Sequence, residues 1–369
     1  MAKEDKNLLK DLVEISKYFG QRFDLTQAAG GNSSIKIGKK MYIKSSGYSL
    51  SEVTYKNGYT ILNNNKLIDY LYKVENKKIN SYLERQSAKI LKDSVIKGGN
   101  PSIETFAHSL MKKYAIHIHP IATNMVSVNK QSEKIFNKIF KKRSKDVNLL
   151  YVKYKNPGIS LANEIMKNLV LNKEILDTNK PIIVFLENHG LICSSDYKSE
   201  LIETVEKFVR KFENYLKLDF KRYKQTTEIS KILWENSYKD LVSYYSEDSL
   251  LGKLIHLKNS KNFVKPLNPD QLLYCGESPL IVKSSLEASI KAYIGKNRTY
   301  PRVIIIKKSV YFIAWNVLKA KEREDVFKAH LYFNSTKELK RTLKNKDIKN
   351  LESYNLFKNR LRFWFDYIK

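Results

Sequence analysis

Short segments with strand periodicity alternate with helical segments along the whole chain, and this alternation favours an α/β fold. Residues 6–20 carry apolar side chains at helical spacing and end at a glycine. Residues 34–37 and 41–44 alternate on either side of a Gly-Lys-Lys turn, as the strands of a β-hairpin do. A further short strand is predicted over 115–119, so strands and helices interleave early in the chain.

Three segments complete this first unit. Ser102 stands at the start of a predicted helix that runs to residue 114, and serine is a favourable N-cap. Residues 181–186 form an apolar strand that ends in a Glu-Asn-His-Gly turn. A long helix is predicted over 197–218.

The pattern restarts beyond residue 226, which predicts a second, smaller α/β domain. Its predicted elements are a helix to residue 245, strands over 272–275 and 280–282, a helix over 286–294, a hairpin formed by 302–306 and 310–314, and a helix over 319–333. The length of 369 residues corresponds to two domains of roughly 100–200 residues each. We therefore expect domains over 1–225 and 226–369.

The chain is strongly basic, but its charge is not clustered. The 67 Lys and Arg residues exceed the 38 Asp and Glu residues, which gives a formal net charge of +29 spread along the whole length. Nucleic-acid binding needs basic residues on one face, so we predict a solvated lysine surface and no nucleic-acid partner. The same field attracts anionic small molecules such as sugar phosphates.

Several classes of protein are excluded by composition. Hydrophobic residues make up 42% of the chain and aromatic residues 12%, which argues against a disordered polycation. No run approaches the ~20 apolar residues of a membrane span, and no secretory signal is visible at the N-terminus. A cytoplasmic location without a membrane partner is expected. The two cysteines, Cys193 and Cys275, exclude a disulfide scaffold and a Cys-rich metal cluster.

Three of the six histidines predict a metal site. His117 and His119 are two residues apart in a predicted strand, so both imidazoles lie on one face. His189 follows an apolar strand, at an edge where parallel sheets present functional groups. Each alone could be an exposed, capping or loop-bonded histidine, but together they indicate a divalent ion, Zn²⁺ first, with an open coordination position. The remaining His256 and His330 are expected to be surface or packing residues.

Glu104 is the candidate acid or base. It lies in the first turn of the predicted helix, where a carboxylate can complement the helix dipole. Beside a divalent cation the same carboxylate can move a proton. His108 follows one turn later on the same face, and we expect it in the core or behind the site.

Loops of small residues offer groups that bind anions. Asn32 follows two glycines, Ser46 precedes Gly47, and Ser102 starts a predicted helix. Their hydroxyls and backbone N–H groups could together cradle a phosphate. Taken singly, each loop could equally be an ordinary turn.

Five segments, taken in chain order, resemble the class II aldolase/adducin superfamily over about residues 5–220. They are AAGGNSSIK, YIKSSGYSL, PSIETFAHSL, HIHP and ENHGLI. Three further segments are most similar to the rhamnulose-phosphate-aldolase half of bacterial bifunctional aldolase/dehydrogenases. They are YKNPG, PDQLLYCGESPLIV and YPRVIIIKKSVYFIAW. This extends the resemblance to about residue 335. No G-x-G-x-x-G motif is present, so NAD chemistry is not expected.

The resemblance implies a three-layer αβα fold around a mixed sheet, followed by a second, smaller α/β domain. It implies that three histidines hold a zinc-type ion and that Glu104 is the catalytic acid/base. The histidines are His117, His119 and His189, and the positions of the family's phosphate loops are Asn32, Ser46, Gly47 and Ser102. Ile103 stands where phosphate-binding members often have a second serine, which weakens the case for a phosphorylated substrate.

The implied function is that of a metal-dependent aldolase, a lyase that cleaves or forms a C–C bond in a ketose, with a sugar phosphate as first choice. The chemistry would pass through a metal-stabilised enediolate. The implied partners are a small sugar substrate and further copies of the chain, as in a tetramer. Two alternatives stay open: epimerisation or dehydration at the same metal site, and a non-catalytic, adducin-like descendant.

Overall fold

The computed structural model describes residues 3–75, 77–140, 146–172, 178–255, 265–335 and 341–353. The chain divides into two units, Met1–Phe220 and Lys221–Lys369, which we call unit 1 and unit 2. In the part of the chain that is described, no helix combines the length and the apolar content that crossing a membrane requires.

Unit 1 is built on an eight-stranded mixed sheet. Its strands are β1 (Asn32–Ile37), β2 (Lys40–Lys44), β3 (Tyr59–Asn63), β4 (Val95–Gly98), β5 (Tyr114–Ile118), β6 (Asn148–Val152), β7 (Ile182–Leu186) and β8 (Gly190–Ser195). Their order across the sheet is β4-β3-β2-β1-β5-β8-β7-β6. The β6–β7 pair is parallel, and the other neighbours are antiparallel. The predicted hairpin is confirmed as β1 and β2, with Ile35 opposite Tyr42.

Helices cover both faces of this sheet. They are α1 (Lys3–Gly20), α2 (Asn64–Val74), α3 (Ser81–Asp93), α4 (Thr105–Ser109), α5 (Ile121–Ser127), α6 (Ser132–Ile139), α7 (Ile159–Leu171) and α8 (Lys198–Leu216). Alternate residues of β7 show the layering. Val184 packs into a core shared with α2, α4 and α7, whereas Phe185 stacks on Phe212 of α8, with ring centroids 5.6 Å apart. The predicted three-layer αβα fold is confirmed.

The helix predicted over 102–114 is shorter than expected, and Ser102 is not its N-cap. Pro101 pairs with Ser45 in an isolated β-bridge, so the chain first turns beside the β2 loop. The helix proper is α4, and its N-cap position is Glu104. A contact between distant segments therefore overrides the local capping signal.

Unit 2 is a smaller α/β assembly on a four-stranded sheet, in the order β10-β11-β12-β9. Its strands are β9 (Val242–Tyr245), β10 (Leu280–Val282), β11 (Val303–Ile306) and β12 (Ser309–Ala314). Its helices are α9 (Lys221–Glu235), α10 (Ser249–Ile255), α11 (Pro269–Cys275), α12 (Leu286–Asn297), α13 (Val317–Ser335) and α14 (Asn345–Ser353). The predicted hairpin is confirmed as β11 and β12. Phe312 packs towards α13 and Tyr311 towards the opposite core, so helices cover both faces of this sheet as well.

Two sequence predictions for unit 2 are wrong. The apolar run over 272–275 is helical, because the Asn268 side chain accepts a hydrogen bond from the Gln271 N–H at 2.9 Å and Pro269 occupies the first turn of α11. The helix expected to reach residue 245 ends with α9 instead. Ser237 then adopts a positive φ of 76°, which breaks the helix before β9 begins.

Candidate metal centre

The three predicted histidines converge at one end of the unit 1 sheet. His117 is on β5, His119 follows that strand directly, and His189 lies between β7 and β8. Their ring nitrogens lie within 4.8 Å of one another. The ring centroids are 4.8 to 5.5 Å apart. The strand order makes this possible, because β8 is the direct neighbour of β5.

Backbone contacts orient the first two rings. The Nδ1 atom of His117 donates to the carbonyl of Leu191 on β8 at 3.0 Å, so Nε2 is the ring nitrogen that faces His119. The Nε2 atoms of His117 and His119 are 3.0 Å apart. The His119 N–H donates to the Leu25 carbonyl at 3.1 Å, which fixes the chain as it leaves the strand.

The third histidine lies in a tight hairpin turn. The sequence predicted an edge of parallel strands here, but β7 and β8 are antiparallel and Leu186 pairs with Gly190. Asn188 adopts a left-handed φ of 51°, which asparagine tolerates better than most residues. A Cβ at position 190 would lie 2.6 Å from the Ile118 carbonyl and 2.7 Å from the His119 ring. Glycine is therefore required for the hairpin to approach β5 so closely.

Glu104 completes the cluster. Its Oε1 atom is 3.3 Å from His117 Nε2 and 3.0 Å from His189 Nε2. Its Oε2 atom accepts a hydrogen bond from the Asn32 side-chain amide at 2.7 Å. Burial by itself raises the pKa of this carboxyl, but the charge on His117 and the hydrogen bonds from His117 and His189 hold the pKa well below its usual range. The group is therefore a carboxylate with one oxygen clamped and the other directed at the histidines.

The donor set fits a divalent cation. Burial, assisted by the charges of His117 and His189, lowers the pKa of His119 to about 4, so this ring is uncharged at neutral pH and one of its nitrogens keeps a lone pair. Two imidazole nitrogens at 3.0 Å repel each other unless a proton or a cation lies between them. Three imidazoles with an adjacent carboxylate suit zinc and similar borderline metals.

Hydrogen bonds join the predicted anion-binding loops to one another beside the histidine cluster. The Ser46 N–H donates to the Asn100 carbonyl at 2.8 Å, which draws the β2 loop against the segment before Ser102. The Asn32 amide donates to the Ser102 hydroxyl at 3.2 Å, as well as to Glu104. Ser46 and Gly47 are exposed, and no contact of theirs with the histidines is among those described.

Ile103 directly follows Ser102 in the chain, and it is 61% exposed. In the chain it stands between Ser102 and Glu104. The side chain at this position is therefore apolar and exposed, and it offers no hydroxyl.

Sequence reasoning missed Lys44. This buried lysine donates through Nζ to the Tyr48 carbonyl at 2.6 Å, the Ala29 carbonyl at 3.3 Å and the Ser45 carbonyl at 3.4 Å. Burial lowers its pKa to about 8, although the charge of Glu104 acts in the opposite direction. The signal was a lysine directly before a turn of small residues, at a buried position of β2.

A buried ion pair that holds the chain near His119 was also missed. The Arg22 guanidinium donates to Asp24 at 2.8 Å and to Glu206 at 2.6 Å. The backbone carbonyl of Asp24 accepts the Ile121 N–H at 2.9 Å, next to the Leu25 bond to His119. The network therefore braces the loop that holds the end of β5.

His108 and His330 do not join the cluster. His108 is buried in α4, where its Nδ1 atom lies 2.7 Å from the Ser34 hydroxyl, and burial lowers its pKa to about 3. His330 is buried on α13 in unit 2, in agreement with the predicted packing role. His256 lies outside the described residues.

A cavity of about 390 Å³ lies in unit 1, near the N-terminal ends of β6 and β7. Phe140, Ile183 and Phe208 line it, together with charged side chains such as Lys207 and Arg210. None of the predicted site residues is in its lining. The convergence of donors, and not this cavity, therefore marks the candidate site.

The model of the Class II Aldolase and Adducin N-terminal domain matches residues 10–216, which is more than half of the chain. This chain belongs to the class II aldolase/adducin family. The match covers β1 to β8 and therefore every residue of the histidine cluster. A search of curated proteins returned no match.

Several solved structures are similar to this family member. The N-terminal class II aldolase domain of a conserved protein from Thermoplasma acidophilum is 22% identical, with a TM-score of 0.46, and the alignment covers 58% of this chain and 95% of that one. A sugar-phosphate aldolase from Thermotoga maritima is 15% identical, with a TM-score of 0.40 and coverages of 58% and 95%. An L-fuculose 1-phosphate aldolase is 19% identical, with a TM-score of 0.35 and coverages of 63% and 98%.

Proposed function

We propose that this protein is a metal-dependent aldolase that cleaves or forms a C–C bond in a ketose, with a sugar phosphate as the substrate class. The observation that carries this proposal is the Glu104 Oε1 atom, which lies 3.0 to 3.3 Å from two ring nitrogens of the histidine cluster. A carboxylate in this position can exchange a proton with a substrate that is bound to the same cation. Membership of the class II aldolase/adducin family supports the assignment.

The cation would be held by the ring nitrogens of His117, His119 and His189, with Zn²⁺ as first choice. When bound, a divalent cation supplies Lewis-acid chemistry, because it polarises a carbonyl and offsets negative charge that develops on substrate oxygens. The hydrogen bond from His117 Nδ1 to Leu191 keeps the Nε2 lone pair available for that purpose.

Glu104 would move the proton. The Asn32 amide holds Oε2 at 2.7 Å, so Oε1, which faces the histidines, is the atom that would take a proton from the substrate hydroxyl next to the breaking bond, or return one to the adjacent carbon. The low pKa keeps Glu104 in its ionised form at neutral pH. The clamp on one oxygen also fixes the direction from which the other approaches the substrate.

The loops with Asn32, Ser46, Gly47 and Ser102 would hold the far end of the substrate. Hydroxyls and backbone N–H groups of such loops bind phosphate oxygens, and the Lys44 ammonium adds a positive charge where it contacts the carbonyls of Ala29, Ser45 and Tyr48. The net charge of +29 draws anions to the surface. We also propose that the protein works as a homo-oligomer, with a tetramer as first choice.

The decisive experiment has two parts. Protein purified without a histidine tag is analysed for metal and then incubated with ketose phosphates, and the products are searched for an aldehyde and dihydroxyacetone phosphate. About one equivalent of metal together with cleavage products supports the proposal. Epimer or dehydration product without cleavage would overturn the aldolase assignment in favour of the alternatives at the same site. Less than about a tenth of an equivalent of metal, not restored by added zinc, would indicate a non-catalytic, adducin-like protein.

A further inference from the structure

Two unsatisfied polar atoms lie on residues that already touch each other at the candidate metal centre. The Nδ1 atom of His189 is buried and has no hydrogen-bond partner among the described residues. The same holds for the Oδ1 atom of Asn124 on α5. The Asn124 side chain is nevertheless seated against His189, because its Nδ2 atom donates to the His189 carbonyl at 3.1 Å.

The two atoms are chemically complementary. A histidine that offers the Nε2 lone pair to a cation carries its proton on Nδ1, so Nδ1 becomes a hydrogen-bond donor. The side-chain carbonyl of asparagine is an acceptor only. Histidines that bind metals almost always donate the second ring N–H to a neighbouring acceptor, and buried polar atoms are rarely left unpaired.

The backbone around Asn124 is held firmly, so its side chain is the part that can adjust. The Asn124 N–H donates to the Pro120 carbonyl at 2.8 Å, directly after His119. One turn later, the Ser127 carbonyl accepts the Asn188 N–H at 3.1 Å. Helix α5 therefore contacts the hairpin turn on both sides of His189, and it begins beside another histidine of the cluster.

We propose that Asn124 is the positioning residue of His189. With a cation at the three histidines, Asn124 Oδ1 accepts the Nδ1–H of His189 while Nδ2 keeps its bond to the His189 carbonyl. The amide thereby selects the tautomer and the ring orientation that expose Nε2. This inference rests on the metal site of the proposed function.

The test measures zinc affinity of the full, untagged chain by competition with a chromophoric chelator. Asn124→Ala removes the acceptor and should weaken zinc binding by about 10- to 100-fold. Asn124→Asp keeps an acceptor oxygen and should stay within about threefold of wild type, because a carboxylate serves a metal-bound histidine equally well. Met125→Ala, at an exposed neighbour on the same helix, is the control and should not change the affinity.

Nitrogen NMR of the histidine rings gives a second measurement. In zinc-loaded wild type and Asn124→Asp, the His189 Nδ1–H should be visible and protected from exchange, and in Asn124→Ala the protection should be lost. Zinc binding by Asn124→Ala within twofold of wild type would overturn this inference alone. Equal losses in Asn124→Ala and Asn124→Asp would also overturn it, because the acceptor would then not matter. A wild-type chain that binds no zinc would instead overturn the proposed metal site itself.

Discussion

Unit 1 and unit 2 each bury a histidine almost completely, yet only one of the two lies in a candidate site. His117 is 1% exposed and His330 is 4% exposed. The Nε2 atom of His117 lies 3.0 Å from the Nε2 atom of His119 and 3.3 Å from the Oε1 atom of Glu104, and the His189 ring is 4.8 Å away between centroids. His330 stacks on the Phe327 ring at 6.3 Å between centroids, and its Nε2 atom has no partner among the described residues. Burial alone does not make a site; the convergence of several donors does.

The pKa values of the two histidines shift in opposite directions. Burial lowers the pKa of His330 to about 4, since nothing compensates for the loss of water around the charged ring. In His117 burial acts in the same direction, but the charge and hydrogen bond of Glu104 outweigh it and raise the pKa. An ionised carboxylate beside buried imidazoles is the feature that separates the two environments.

The largest difference between variants of His117 and of His330 is expected in metal binding. His117→Ala removes one of three nitrogen donors and should weaken zinc binding by more than the ~100-fold that the loss of a supporting group costs. His330→Phe removes an equally buried imidazole and should leave zinc affinity unchanged. Competition with a chelator on untagged protein measures both. Similar losses in the two variants would contradict the comparison.

Glu104→Gln should separate metal binding from turnover. The amide keeps the size of the side chain but cannot act as a base, so kcat should fall by about 10²- to 10⁴-fold. Zinc stoichiometry should stay the same, because the three imidazoles remain. Glu203→Gln, at an exposed position of α8, is the control. Unchanged kcat in Glu104→Gln would remove the catalytic role of this carboxylate.

Asp24→Asn tests the ion pair that braces the end of β5. Arg22 and Asp24 are both buried, and the variant leaves the guanidinium with Glu206 as its remaining charged partner in the described network. We expect a loss of about 3 kcal/mol in the free energy of unfolding, measured with urea. Glu203→Gln breaks an exposed surface pair with Lys207 and should cost less than about 0.5 kcal/mol. Equal losses in the free energy of unfolding for Asp24→Asn and Glu203→Gln would show that burial of an ion pair does not increase its contribution to stability.

The smallest expected effect is a pH dependence of the free energy of unfolding, and it comes from His330 in unit 2. The pKa of His330 is about 4 in the folded chain and about 6.5 in the unfolded chain. The unfolded state therefore binds more protons below pH 6.5, and the stability is complete above that value and lost as the pH falls towards 4. At pH 5 the loss amounts to about 2 kcal/mol.

Urea unfolding of wild type and His330→Phe at pH 7 and pH 5 measures this contribution. The phenyl ring does not titrate, so the variant should lose less stability on acidification than wild type. The same loss in both proteins would assign the acid sensitivity to other groups.

Local patterns were sufficient for most elements of unit 1, and they failed where a local signal was ambiguous. The run over 272–275 is apolar and short, and such a run fits a buried strand or a helix equally well. The cap formed by Asn268 and Pro269 decides the matter, and this signal was present in the sequence. The helix expected from Ser102 failed for a different reason, since the pairing of Ser45 with Pro101 joins segments that are far apart in the chain.

The local sequence was enough to predict that His117 and His119 share a face, because the period of a strand is two residues and needs no other part of the chain. It also placed His189 in a turn and Glu104 near the start of a helix. The three-dimensional fold was needed to show that these groups meet, which oxygen of Glu104 faces the histidines, and that Lys44, Asp24 and Asn124 contact the segments around them. Those facts depend on strand order and on contacts between residues far apart in the chain, such as Arg22 and Glu206 at a separation of 184 positions, and no local periodicity encodes such contacts.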